Sequence, residues 1–425
     1  MIQESEYKRR RETLASSLKN NSIAVVFSAT AQTRSNDTEY PYRQNSNFYY
    51  LTGFKEDNAA LLIRKGRKAT ESYLFVQKKD KQLELWTGKR RGLKGAKKLF
   101  KHDDIFVIED FTSKFDLFVK ESRNIYYDFS MKSSKVEYIV EKSKSFSSRS
   151  NLMPLIGKQR LIKSPEEIKL IKKALQITKE AHHYAKDHAR ELTYEYELQA
   201  DVEYIFKKKG AYSDAYTTIV ACGNSANTLH YINNDKRLLD GALILMDAGC
   251  EYEYYASDIT RSFPVNGTFT DAQKELYSIV LEVEKKIISM VRPDILRTTL
   301  QEKSEELLCE GLVKLGILKG SVKKLLKKKK HKKYYPHGIG HWMGIDVHDE
   351  SPYKDEKGKE IPLMAGMVMT IEPGLYIDKD DESVPKRYRG IGIRIEDDIL
   401  VTYDGYENLS KDIAKEVEDI EAIYS

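Results

Sequence analysis

Cysteine is scarce in this chain of 425 residues: there are three, Cys222, Cys250 and Cys309. An odd, widely spaced set makes neither a disulfide framework nor a CxxC metal knuckle, and a reducing cytoplasm is the expected setting. Long apolar runs are also missing. None reaches the ~18 residues that a membrane-spanning helix needs, so no span is expected. The opening residues, MIQESEYKRR, carry charge with no apolar stretch behind it, which argues against a secretory signal. No short-period repeat is visible. What is present suffices for a sizeable core: 40% of residues are hydrophobic and 10% aromatic, so wholesale disorder is excluded. The length predicts two domains.

The net charge of +6 conceals a division. Residues 1–150 hold 30 Lys/Arg against 19 Asp/Glu, a balance of +11, while the other 275 hold 41 against 46, a balance of −5. Within that second part, KGSVKKLLKKKKHKK (319–333) contributes nine lysines and no acid; without it the balance is −14. An acidic region either gathers carboxylates for a metal or is a solvated surface, and bulk charge alone favours the surface. The lysine run reads as a solvated helix end or protruding loop. The basic stretch 89–101 reads as a solvated helix face, because no aromatic interleaving or nucleic-acid motif accompanies it. Neither a nucleic-acid partner nor a membrane is expected.

Residues 1–155 read as a mixed α/β domain. A helix is expected over 5–19, and strands at 22–28, Asn47–Phe54, 59–63, Tyr73–Val76, 105–108 and 124–127. A Ser-rich linker then leads to the second domain, 156–425. Its first helix is announced by Ser164 as N-cap, Pro165 at the first helical position and Glu167 three residues after the cap. That helix is expected to run to about His188, and a second from Tyr194 to Lys209. Strand and turn patterns follow from Ala215, then helices over 271–291 and 295–318. Strands resume in GIDVHD, GMVMTIEPGLYI and GIRIEDDILVT. The tail places Ile413, Val417, Ile420 and Tyr424 on one helical stripe.

Polar groups stand where strand patterning predicts burial. Leu243–Asp247 and Ala256–Thr260 read as an antiparallel hairpin that sets Asp247 opposite Asp258. Paired carboxylates in apolar surroundings call for a compensating cation. His337, His341 and His348 crowd into twelve residues, although the whole chain has nine histidines. Glu372 ends an apolar strand before a Pro-Gly turn, and Arg394 and Glu396 share one face of another. Taken singly, each is an ordinary turn, cap or hydrogen-bonded residue. Together, four carboxylates and one imidazole suit Mn, Co, Zn or Fe in divalent form. Two such ions balance four carboxylates and generate a hydroxide nucleophile near neutral pH.

At these residues the chain resembles the pita-bread metallopeptidases, most closely the aminopeptidase P (Xaa-Pro aminopeptidase) family. The resemblance rests on TRSNDTEYPYRQNSNFYYLTGF, LIKSPEEI, YTTIVACG…LHY, MDAG, SDITRSFPVNG, HGIGHWMGIDVHD, IEPGLY and GIGIRIEDD, in order. It implies an α+β fold: an N-terminal mixed α/β domain followed by a C-terminal pita-bread (creatinase/aminopeptidase-like) catalytic domain. It implies two divalent ions, manganese by the family's habit with cobalt or zinc as alternatives, held by Asp247, Asp258, His341, Glu372 and Glu396, with Asp258 and Glu396 bridging. A metal-bridging hydroxide would attack the Xaa-Pro amide. Glu372 would shuttle the proton, and His230 and His348 would stabilise the reacting carbonyl. His337, Tyr376 and Arg394 would line the proline site, and Tyr216 would support the ligand network. The implied substrates are peptides with N-terminal Xaa-Pro, and the implied assembly is a homodimer or homotetramer. Trp342 and YPYRQNS favour this reading over prolidase, an Xaa-Pro dipeptidase of the same fold. A non-catalytic pita-bread binding protein would have lost ligands, and all five are here. Methionine aminopeptidase would lack the large N-terminal domain, and a creatinase-type hydrolase would not keep the five.

Overall fold

The computed structural model describes residues 2–422. The chain divides into two compact units, one ending at Arg160 and the other starting at Leu161. The sequence places that division after residue 155. The helix Met153–Arg160 belongs with the first unit, because it packs on the helix Glu4–Ser17 and Arg160 Nη1 donates to Asn47 Oδ1 at 2.8 Å.

The first unit is built on a six-stranded mixed sheet, in the order Asp104–Val107, Thr70–Val76, Ala60–Lys65, Ser22–Phe27, Asn124–Tyr127 and Ser148–Asn151. Ser22–Phe27 is antiparallel to Ala60–Lys65 and parallel to Asn124–Tyr127. It is buried along its whole length, as its unbroken apolar sequence requires when both sheet faces are covered. Ile23 and Val25 face Phe111 and Phe115 of one helix and Val136 and Ile139 of another. Glu4–Ser17 and Ser46–Thr52 pack on the sheet as well.

Asn47–Phe54, expected as a strand, is the helix Ser46–Thr52. All seven residues are buried, so no in-out alternation exists to separate helix from strand, and aromatic content alone pointed to β. Tertiary contacts decide the matter. Asn45 caps the start by accepting from the Phe48 amide. Arg10 and Arg11 donate to the carbonyls of Tyr50 and Leu51 at the other end, where a helix leaves its acceptors unpaired. Gly53 then turns the chain with φ +66°.

The second unit packs long helices around small sheets. Pro165–His188 carries the expected capping box, with Ser164 N donating to Glu167 Oε2 at 2.8 Å. It packs on Glu195–Lys208, and Asp271–Ile288 packs on Arg297–Lys314. Two three-stranded sheets, Ile219–Cys222/Leu243–Asp247/Thr260–Pro264 and Val368–Ile371/Asp397–Val401/Tyr406–Asn408, lie beside the hairpin Gly374–Ile377/Ile391–Arg394. Three expectations change here. Leu243–Asp247 pairs with Thr260–Pro264, so Asp247 faces Thr260 rather than Asp258, which sits in the connection after the strand Tyr255–Ala256. GIDVHD (344–349), expected as a strand, forms bends over residues 344–348, because the Gly344 amide is spent on Asp346 O and the Asp346 amide on Asp349 Oδ1. In the tail the helix is Val417–Glu421; Ile413, Val417 and Ile420 are buried, and Tyr424 lies outside the described residues. The lysine run forms the helix Val322–Lys327 and a 3₁₀ turn, Lys330–Lys333.

Candidate active site

One cavity of about 580 Å³ in the second unit is lined by ten of the eleven residues singled out in the sequence; the eleventh, Tyr376, hydrogen-bonds to two of them. Asp247 closes the strand Leu243–Asp247. Its Oδ1 accepts from Tyr216 Oη at 2.6 Å and its Oδ2 from Arg394 Nη2 at 2.5 Å. Asp258 arrives through a close crossing of backbones: a Cβ on Gly249 would lie 1.9 Å from Ser257 O. The Asp258 amide donates to Asp398 Oδ2 at 3.1 Å.

His341 follows a second such crossing. A Cβ on Gly340 would lie 1.9 Å from Thr370 O, and the His341 amide donates to Thr370 Oγ1 at 3.1 Å. Its Nδ1 donates to Trp342 O at 3.1 Å, which aims Nε2 at Asp258 Oδ2, 3.2 Å away, and at Glu372 Oε1, 3.7 Å away. Glu372 extends from the strand Val368–Ile371, with its amide bonded to Ile339 O at 2.8 Å. Glu396 sits between the strands Ile391–Arg394 and Asp397–Val401, and its Oε2 accepts from Thr260 Oγ1 at 2.7 Å. Ligand atoms of Asp258, His341 and Glu396 all fall within 4.8 Å of one another.

A chain of hydrogen bonds runs along one wall. His337 Nδ1 donates to Gly338 O at 2.8 Å, and its Nε2 accepts from Tyr376 Oη at 2.8 Å. Arg394 Nη1 donates to Tyr376 Oη at 3.0 Å, and Nε to Thr260 Oγ1 at 3.0 Å. Burial and the charge of Arg394 push His337 down to about 3, so its ring stays neutral. His230 and His348 are exposed at the rim, and the His348 ring meets that of His341 edge-on with centroids 4.1 Å apart.

Residues 169–403 match the family model of metallopeptidase family M24, and residues 7–126 match that of the aminopeptidase P N-terminal domain. This chain belongs to metallopeptidase family M24. An Xaa-Pro aminopeptidase of Escherichia coli is 40% identical over 99% of this chain and 98% of its own. An Xaa-Pro aminopeptidase of Haemophilus influenzae is 38% identical over 99% and 97%. A zinc-substituted E. coli aminopeptidase P in complex with product superposes with a TM-score of 0.95 at 39% identity, covering 99% of this chain and 98% of that one. The second unit is the family's pita-bread domain. Among the described residues no helix is long and apolar enough to cross a membrane.

The clustered side chains fit a divalent metal. Burial first, and then the like charge of neighbouring carboxylates, pushes Asp247, Glu372 and Glu396 above the ordinary carboxylate range, Glu372 to about 7 against the opposing charges of His341 and Arg394. Burial opposes a charged His341, yet its hydrogen bond to Asp258 and the charges of Asp258 and Glu372 hold it up at about 9. Crowded hard oxygens around one imidazole, with its other nitrogen anchored on a carbonyl, suit a cation of the Mn, Co or Zn kind. Sequence reasoning overlooked the groups that fix these side chains. Thr260 ties Glu396 to Arg394, Thr370 ties His341 to the Glu372 strand, and Asp398 holds the Asp258 backbone. Threonine is an ordinary strand residue, so no residue type marked the first two. Asp398 stood in plain view in GIRIEDD beside Glu396.

Proposed function

We propose that this chain is a metal-dependent Xaa-Pro aminopeptidase, releasing the N-terminal residue from peptides with proline in second place. One observation carries the reading: four carboxylates and an imidazole share one cavity in an M24 chain that also has the aminopeptidase P N-terminal domain. Asp247, Asp258, His341, Glu372 and Glu396 would hold two divalent ions, with Asp258 and Glu396 shared between them and manganese the first choice over cobalt or zinc. When bound, the ions supply Lewis acidity toward the scissile carbonyl and lower the pKa of water.

The chain's own residues supply the rest. The Glu372 carboxylate takes a proton from the attacking water and hands it to the departing proline nitrogen. His230 and His348, at the rim, donate toward the carbonyl oxygen where charge develops. Tyr376 is held between His337 and Arg394, giving the wall that receives the proline ring a fixed shape. Tyr216 and Arg394 grip both oxygens of Asp247 and fix its orientation. A prolyl amide lacks the N–H that ordinary aminopeptidases use, which accounts for a dedicated wall. A cytoplasmic location belongs to the proposal and is supported by three free, buried cysteines. A homodimer or homotetramer rests on the family resemblance.

The test compares an Xaa-Pro dipeptide, an Xaa-Pro-Yaa tripeptide and an Xaa-Ala-Yaa control with added Mn²⁺. Cleavage of the tripeptide after its first residue, abolished by chelator, upholds the proposal. Cleavage of the dipeptide alone assigns prolidase. No cleavage by the metal-loaded protein assigns a non-catalytic role.

A further inference from the structure

The lysine run takes no part in the peptidase site, yet it is not a loose loop. Leu325 is buried, and so is His331, whose Nε2 lies 3.0 Å from Glu305 Oε2 on the helix Arg297–Lys314. The segment is therefore docked. Its lysines fall into two groups. Lys332 pairs with Glu305 and Lys333 with Asp381, each at 2.6 Å. Lys319, Lys323, Lys324, Lys327, Lys328, Lys329 and Lys330 are exposed, and no described acid lies within ion-pair distance of them.

The chain turns at Lys329 through φ +53°, the left-handed region that lysine seldom adopts. That turn helps gather Lys319, Lys328, Lys329, Lys330 and Lys333 around one concavity of about 590 Å³. Its lining is completed mainly by apolar groups of Ile317, Leu318 and Tyr334. Lys333 is already paired with Asp381, but Lys319, Lys328, Lys329 and Lys330 have no such described counter-charge; like charges held together repel, and the repulsion is relieved when an anion enters. A flat lipid surface or a nucleic-acid backbone would engage the outer row Lys323, Lys324 and Lys327 as readily as the concavity. An open concavity lined by five lysines instead suits a compact multivalent anion, which can meet several of them at once.

We propose that this concavity binds a compact polyphosphate, a chain of linked phosphates either free or carried on a nucleoside. Lysine ammonium groups serve such anions as mobile point charges. The test titrates the full chain by calorimetry at physiological salt with tripolyphosphate, orthophosphate, ATP and a single-stranded oligonucleotide. Two variants remove equal charge: K319Q/K328Q/K330Q in the concavity and K323Q/K324Q/K327Q on the outer row. None of these lysines touches the peptidase site, so both variants keep the thermal midpoint and the peptidase rate of the parent.

The expected result is saturable tripolyphosphate binding, at least about tenfold tighter than orthophosphate, that weakens about tenfold or more in the concavity variant and less than about threefold in the outer-row variant. ATP binding equally well assigns the free phosphate chain, and ATP binding tighter assigns the nucleotide; both uphold the site. Absence of saturable binding, or equal weakening in the two variants, overturns it. Tighter binding of the oligonucleotide with equal dependence on both rows also overturns it and assigns a nucleic-acid surface.

Discussion

Lys163 and Asp349 form an ion pair out of reach of solvent, with Nζ 3.2 Å from Oδ2 and each side chain 1% exposed. The pair ties the chain just after Leu161 to the bend that carries His348. The same Asp349 accepts from the Asp346 amide and from Ser351 Oγ, and its own amide donates to Trp342 O at 2.8 Å. Gly344 makes room for the pair, since a Cβ there would lie 2.8 Å from Lys163 Cε.

Removing one partner of such a pair leaves the other charge buried, which costs about 3–5 kcal/mol. Lys163→Met is expected to lower unfolding free energy by that amount in urea titration. Lys163→Met/Asp349→Asn is expected to recover part of it, because no uncompensated charge remains. A loss below about 1 kcal/mol in the single variant would show that Asp349 finds its compensation elsewhere.

His182 gives the protein an acid-sensitive point in its core. Its Nε2 donates to Ala248 O at 2.9 Å, and its Nδ1 has no partner among the described residues, so a second proton there would have nowhere to bond. Burial pushes the ring down to about 3, whereas an unfolded histidine titrates near ~6.5. The folded pKa is the lower one, so between these values the unfolded chain binds more protons and stability falls as pH drops from about 6.5 toward about 3. The slope from this group approaches ~1.4 kcal/mol per pH unit. Comparing urea unfolding at two pH values, one above and one a unit below the unfolded pKa, the parent should lose about 1.4 kcal/mol more than His182→Gln, which keeps an N–H for Ala248 and does not titrate. Equal losses in the two proteins would remove His182 from the account.

Much of this was legible in the residues, for identifiable reasons. The helix Pro165–His188 was readable because Ser164 and Glu167 settle its start locally. Asp247 and Glu372 were readable because a carboxylate at the end of an apolar strand has no reason to be there without a partner. Ser46–Thr52 was not, because the arginines that hold its last carbonyls lie some forty positions away in sequence. Asp258 was placed near Asp247 for the wrong reason. The strand partner of Asp247 is Thr260, and it is the backbone crossing at Gly249 that brings Asp258 in. Local pattern carries caps and strand ends, whereas close approaches between distant segments depend on the assembled fold.

Arg394 distributes its guanidinium over three partners, Asp247, Tyr376 and Thr260. A lysine offers the same charge without the planar fork and can satisfy only one of those directions at a time. Arg394→Lys is expected to fold, to bind manganese less tightly, and to lose about 10–100-fold in kcat/KM on an Xaa-Pro-Yaa peptide. Metal content by atomic absorption and peptide turnover check the two effects separately. Activity within about twofold of the parent would mean that charge alone suffices at this position.

Gly340 constrains the proposed metal-binding groups as closely as Gly249 does. The strand Val368–Ile371 and the segment around His341 are locked together: the His341 amide bonds Thr370 Oγ1, and the Thr370 amide bonds His341 O at 3.0 Å. Glu372 follows directly from that strand, so His341 and Glu372 keep their spacing only while the two segments touch. A Cβ at 340 would meet Thr370 O at 1.9 Å and Thr370 Oγ1 at 3.0 Å, and backbone has to move to admit it. Overpacking of this kind costs about 1–3 kcal/mol, with a larger penalty where backbone is displaced. Gly340→Ala is therefore expected to lower the unfolding midpoint and to weaken manganese binding by at least about tenfold, since two donors shift together. Gly338→Ala, two positions earlier in the same loop, is the matched control: its nearest neighbour would be Gln301 Oε1 at 3.7 Å, ordinary contact. Calorimetric titration of the metal-free proteins with Mn²⁺ separates the two. Equal affinity in both variants would show that the crossing at residue 340 tolerates a side chain and that His341 is positioned by something other than contact with Thr370.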